Sequence, residues 1–146
     1  MKTTSYEISK KLKEARFGKD SAFAHFKSKC GGGGIFYVWE GIKGGYEEEF
    51  FSYDLETLLD ALPDSITKEY KSKDDGEVRE FRETLKIDKY EICYRCCAIE
   101  TSDDANRYFN EYGYMQQFSV YNFSNTGSLA DTAGKMWLLL KEKGLV

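Results

Sequence analysis

Residues 128–146, SLADTAGKMWLLLKEKGLV, constrain the fold more than any other stretch. Leu129, Ala133, Met136, Trp137 and Leu140 recur at helical spacing and form one apolar stripe. Ser128 can cap the helix, and Asp131 three residues on suits both a capping box and a helix N-terminus. Lys141 and Lys143 fall in the last turn, and Gly144 is the expected stop. Such a stripe must be buried against another layer. The chain is therefore expected to build a core around this helix.

The rest of the sequence supplies that layer. From Ser5 a first helix is read, with Ile8, Leu12 and Ala15 or Phe17 on one face and Gly18 as its stop. SAFAHFK (21–27), IFYVWE (35–40) and YEEEFFSY (46–53) are short, aromatic and bounded by turn formers, so they read as strands. In the second of these Tyr37 and Trp39 share one face, and both faces are apolar, as in a central strand, so its aromatics fit core packing or a partner-binding surface. YDLETLLDALP then changes period: Asp54 caps, Leu55, Leu58, Leu59 and Leu62 line a helix, and Pro63 ends it. KSKDDGE (71–77) is a polar loop. Residues 78–87 fit a strand with Phe81, Leu85 and Ile87 on one face, or a helix through Val78, Phe81 and Leu85. YEICYRCCAI (90–99) reads as a strand, TSDDANRYFNEYG (101–113) as a loop or a single helical turn, and YMQQFSVYNF (114–123) as a last strand. The sum is a single α+β domain spanning 1–146. An antiparallel sheet of about four to six strands packs against two or three helices, the N- and C-terminal ones included. The 146 residues are 41% hydrophobic and 16% aromatic, enough for one such core.

Charge and composition exclude several classes. A net charge of −4 with scattered Lys and Arg gives no footprint for nucleic acid. No apolar run approaches the ~20 residues of a membrane span. The segment MKTTSYEISKKLKEARF lacks a signal peptide's apolar centre, so a cytoplasmic setting with reduced thiols is expected.

Four groups of residues carry candidate chemistry. CGGGGIFYVWEG (30–41) has the glycines of a phosphate loop, but a strand follows them and no Gly-Lys-Ser/Thr closes the motif. Gly31, Gly32, Gly33 and Gly34 therefore read as a hairpin loop. In YEICYRCCAI, strand alternation puts Cys93 and Cys97 on one face ~13 Å apart, too far to share a zinc ion, with Cys96 on the other face. No metal or cofactor is expected. His25, the only histidine, is read as structural, although Cys30 lies only a turn away. The paired carboxylates Asp74–Asp75 and Asp103–Asp104 read as solvated. The exposed contact candidates are Gly31 to Gly34, the acidic edge Glu47, Glu48 and Glu49, and the polar 101–113 stretch.

The order SYEISKKLKEARF, YDLETLLDALP, TLKIDKYEICYR and SLADTAGKMWLLLKEKGL resembles a family of small bacteriophage and prophage proteins of unknown function. Its members carry an opening helix of the form S..LK.AGF, a middle helix like PTL.ELL.ALP and a closing helix like SLADALAKLWLWLKE.G. The resemblance implies structural positions and brings no catalytic residues. It implies an accessory protein in the cytoplasm of a bacterial host cell that binds a host protein such as a defence or regulatory factor. A small-ligand or nucleotide sequestering protein, and an enzyme with an unrecognised site, are the alternatives. An exposed aromatic patch favours the first, an enclosed pocket the second, and a shifted titratable group in a cleft the third.

Overall fold

The computed structural model describes residues 2–28, 30–115, 117–122 and 128–146. The fold is α+β, with antiparallel strands divided between a three-stranded and a four-stranded sheet. The chain forms two compact units, Met1–Leu62 with Asn122–Val146, and Pro63–Tyr121.

The first unit holds α1 (Tyr6–Glu14), β1 (Phe23–Lys27), β2 (Gly33–Tyr37), α2 (Val38–Lys43), β3 (Glu47–Ser52), α3 (Leu55–Ala61) and α5 (Leu129–Glu142). Its sheet runs β2-β1-β3, with a register irregularity between His25 and Phe26. Both terminal helices lie in this unit and pack on one another. Gly134 is the point of closest approach, because a Cβ there would sit 2.7 Å from Ile8 Cγ2. Ser128 caps α5 by accepting the Asp131 N–H at 3.1 Å. The Asp131 carboxylate does not close a box on its own helix. Its Oδ1 accepts the N–H of Ser5, the α1 cap residue, at 2.7 Å, which ties the starts of the two helices together.

The expected stripe on α5 is buried at Ala133, Met136, Trp137 and Leu140, with Leu129 half-buried. Trp137 meets Phe17 edge-on at 4.8 Å, and Phe17 meets Tyr53 at 4.7 Å. That contact explains a departure from the sequence reading. The residue that ends α1 with a left-handed backbone is Arg16 (φ 61°), not Gly18. Turning the chain at Arg16 brings Phe17 into the core, and burying a large aromatic outweighs the modest strain of one non-glycine left-handed residue. Asp54 caps α3 through the Thr57 N–H at 2.8 Å, and Leu62 is extended before Pro63, as the sequence requires.

The 35–40 stretch also departs from its expected form. Its strand stops at Tyr37, and Val38 begins α2 after donating to Ala22 O at 2.8 Å. β2 is an edge strand, not a central one. A short helix fits because Gly41 lets it approach the sheet: a Cβ there would lie 2.6 Å from the buried Phe26 ring.

The second unit holds β4 (Ser65–Lys71), β5 (Val78–Ile87), β6 (Glu91–Cys96), α4 (Ser102–Tyr112) and β7 (Ser119–Tyr121), with sheet order β4-β5-β6-β7. Residues 78–87 are strand. Residues 101–113 are neither loop nor single turn but an eleven-residue helix. Thr101 and Asp104 form a reciprocal capping box at its start, and Tyr108 and Tyr112 pack on Phe81 at 5.6 and 4.9 Å. Of the expected 114–123 strand, β7 covers 119–121, and Gln116 and Phe123 lie outside the described residues. Among the described residues no helix is long and apolar enough to cross a membrane.

Because Trp137 is 7% exposed, Trp137→Ala is expected to cost about 3–5 kcal/mol. Urea unfolding of the purified variant should show the loss as a lower midpoint with an unchanged slope.

Candidate functional site

The glycine run resolves into two halves. Gly31 and Gly32 have φ of 85° and 86° and make the β1–β2 turn, which Ser28 closes by donating to Gly32 O at 3.0 Å. Gly33 and Gly34 open β2. A Cβ at Gly33 would fall 2.7 Å from Phe26 O, so the close approach of β1 requires that glycine. The acidic candidates lie in β3, on the far side of β1. The register Gly33↔Lys27↔Glu47 brings the two predicted groups to the same end of one sheet, about 10 Å apart by two strand spacings. Lys27 Nζ reaches Glu47 Oε2 at 4.0 Å. Glu49 is engaged internally: Tyr6 donates to its Oε1 at 3.2 Å and Lys13 to its carbonyl at 3.0 Å. Glu47 and Glu48 are exposed.

Between these groups the fold places a surface that the strand reading missed. On α2, Gly41 faces Phe26, which turns Trp39 and Ile42 outward at one helical turn's spacing. They are 61% and 62% exposed. Ile35, Tyr37 and Tyr46, in β2 and just after α2, are exposed as well. A signal was present in the sequence. Gly41 inside an aromatic run marks a close backbone approach rather than continuous strand.

His25 is buried and does not pair with Cys30, which is exposed at the turn. Its Nε2 lies 3.1 Å from Thr4 O and 3.0 Å from Ser9 Oγ. A carbonyl can only accept, so Nε2 carries the hydrogen. The ring is packed by Tyr6 and Phe50. Burial pulls its pKa below the ordinary histidine value, the Thr4 carbonyl only partly opposing this. The imidazole is held neutral in a sealed network.

In the second unit β5 carries a buried carboxylate, Glu83, 2% exposed. Lys68 of β4 donates to its Oε1 at 3.2 Å and lies 2.8 Å from Oε2. Oε2 has no hydrogen bond of good geometry among the described residues, so that closer approach is a charge contact only. Lys68 also sits 3.9 Å from the centre of the Phe118 ring. Burial raises the Glu83 pKa, and Lys68 acts against the rise. Burial, then Glu83, pushes Tyr70 up to about 12. Burial likewise pushes Tyr53 up to about 12, and its hydroxyl donates to Lys19 O at 2.8 Å. These tyrosines stay protonated at neutral pH, and neither is poised as an acid or base there.

Alternation separates two of the cysteines as expected: Cys96 shares the face of Ile92 and Tyr94, and Cys93 is buried on the other. The expected 90–99 strand ends at Cys96, so Cys97 does not share the Cys93 face but lies past the strand end, 2.7 Å from Thr84 Oγ1. Burial raises the Cys93 thiol pKa. Among the described residues no group of three or more His, Cys, Asp or Glu could hold a metal ion. Asp104 is spent on capping and Asp75 on Arg79.

Two pockets lie in the first unit. One, of about 520 Å³, runs between α1 and α5, where Lys11 and Lys135 alternate with Glu7, Asp131 and Glu142. The other, of about 320 Å³, mixes Lys13 and Lys19 with Glu48 and Glu49. Neither gathers charge of one sign. The chain matches no known protein family, no curated protein and no solved structure.

Two outcomes follow from the buried titratable groups. His25 binds its proton less readily folded than unfolded, so its contribution is intact above pH ~6.5 and is lost as pH falls from there toward its folded pKa. Urea midpoints should therefore drop on acidification below pH ~6.5, and His25→Gln should flatten that part of the profile. Lys68→Met should cost about 3–5 kcal/mol at neutral pH by stranding the Glu83 carboxylate. Because the folded Glu83 pKa is raised, that cost should shrink as acid protonates the carboxyl. The double change Lys68→Met with Glu83→Leu should recover most of the loss.

Proposed function

We propose that this chain is a phage- or prophage-encoded accessory protein that acts in the bacterial cytoplasm by binding a host protein rather than by turnover. The observation that carries the reading is the outward face of α2, where Trp39, with Lys43 over its ring, and Ile42 are each more than half exposed while Gly41 is the residue turned to Phe26. Large apolar side chains presented together on a rigid element are the usual centre of a protein-binding surface, and tryptophan is the commonest anchor. Glu40 beside them and the exposed Glu47 and Glu48 add negative charge nearby. The partner surface that fits is apolar at its centre with a basic or neutral rim. The chain's net charge of −4 works against nucleic acid.

The test is capture from bacterial lysate with the full chain as bait, beside Trp39→Ser and Ile42→Ser. The expected result is one host protein retained by the parent and lost with either variant, while both variants melt with the parent. A nucleotide or other small molecule retained at one per chain, with capture indifferent to both substitutions, would replace this reading with the sequestering one.

A further inference from the structure

The sheet edges of this protein are not treated alike. An open strand edge is a template for another strand, and proteins blunt it with charge, shortness or cover. β3 carries Glu47, Glu48 and Glu49 and has the Lys13 ammonium on the Glu49 carbonyl. β4 carries Lys68, Glu69 and Lys71, and β7 is only three residues long. β2, with the sequence GGIFY, has no charge, no proline and no described strand on its outer side.

The register tells which groups that edge offers. Val38 N–H bonds Ala22 O, and Ser28 N–H bonds Gly32 O, so the even-numbered residues of β2 bond β1. The N–H and C=O groups of Gly33 and Ile35 therefore point outward, with the N–H of Tyr37. The side chains of Ile35 and Tyr37 are 45% and 40% exposed.

We infer that β2 is a self-association edge on which a second copy of this chain pairs antiparallel about a two-fold axis at Ile35. The strand is complementary to itself in that arrangement. Ile35 exchanges both hydrogen bonds with the second copy's Ile35. Tyr37 N–H reaches the second copy's Gly33 carbonyl, and the reciprocal bond forms across the axis. Tyr37 at one end of the strand meets Gly33 at the other, where its mate has no side chain, while Gly34 is covered by the Phe36 ring of its own copy. No charge opposes like charge across the axis, which the glutamates would impose if β3 paired with itself. Beyond the strand, the start of α2 runs beside the second copy's Gly31–Gly32 turn. A Cβ built at either of those glycines meets no atom within 4 Å, so the approach is open. The result is a continuous six-stranded sheet that presents two α2 surfaces.

Sedimentation equilibrium of the full chain tests this. The parent is expected to be dimeric, Ile35→Lys monomeric with an unchanged far-UV circular dichroism spectrum, and Ile35→Val dimeric. Ile42→Lys should leave the dimer intact, because Ile42 lies in the later turn of α2, beyond the strand pair. A parent that stays monomeric at the highest attainable concentration overturns the inference, as does a dimer that survives Ile35→Lys or dissociates with Ile42→Lys. Each result stands apart from host capture, since a monomer can still retain a host protein through Trp39 and Ile42, and a dimer can fail to.

Discussion

The first unit is organised around the backbone and hydroxyl of one residue, Thr4. Its carbonyl takes the Ser52 hydroxyl at 2.8 Å and the His25 imidazole at 3.1 Å. Its own hydroxyl accepts the Tyr53 N–H at 2.9 Å and shares a 2.6 Å bond with Ser9. Thr4, Ser9, His25 and Ser52 are all buried, so each of these polar groups would be costly without its partner. The cluster joins the segment before α1, the helix itself, β1 and the end of β3. Once Thr4 is held, Ser5 is in place to cap α1 and to bond Asp131, which starts α5 alongside. Gly134 then allows the two helices to close. A set of neutral hydrogen bonds thus determines where the apolar stripe of α5 can lie. The single histidine of the chain is used in that role.

How much of this could be read beforehand depends on whether the controlling physics was local. The α5 stripe, its Ser128 cap and the Asp54 cap with Pro63 are local patterns, and they appear where the sequence puts them. Strand alternation placed Cys93 and Cys96 on opposite faces. What escaped was set by tertiary contact. Arg16 turns left-handed because Phe17 has a core to enter. α4 packs on Phe81 through Tyr108 and Tyr112, reaches Ser72 and Arg79 through Glu111, and exposes Phe109, so it lacks a legible apolar stripe despite its Thr101–Asp104 box. β4, SITKEYK, has no clean apolar face in sequence because its inward positions include Lys68, which is placed there beside Glu83 and the Phe118 ring. No window of sequence shows that pair, since fifteen residues and a loop separate its members.

The candidate surface shows the same division. Gly31 to Gly34 and Glu47 to Glu49 were visible as unusual composition, but their juxtaposition depends on β1 lying between β2 and β3. Trp39 is visible as an aromatic in an apolar run, and a strand there leaves core packing and a partner-binding surface both open. The close fit of Gly41 on Phe26 decides between them, because a helix that presents its glycine inward must present Trp39 and Ile42 outward. One glycine without a side chain thereby decides which aromatic residues are core and which are surface.

The two edges of the first sheet then have opposite physical characters. At β3 a row of carboxylates repels another copy of itself, and Lys13 occupies an outward carbonyl. At β2 the backbone is bare, the side chains are neutral, and the glycines that the β1–β2 turn requires also leave space for an opposing strand. Pairing at β2 would leave the acidic edge and the Ile42 end of α2 free on each copy. In general, two binding modules held in one assembly engage a partner with two matching sites far more strongly than either does alone, through effective concentration. On that argument the uncharged edge and the exposed Trp39 would be parts of one device, in which the sheet edge sets how many α2 surfaces a single assembly presents.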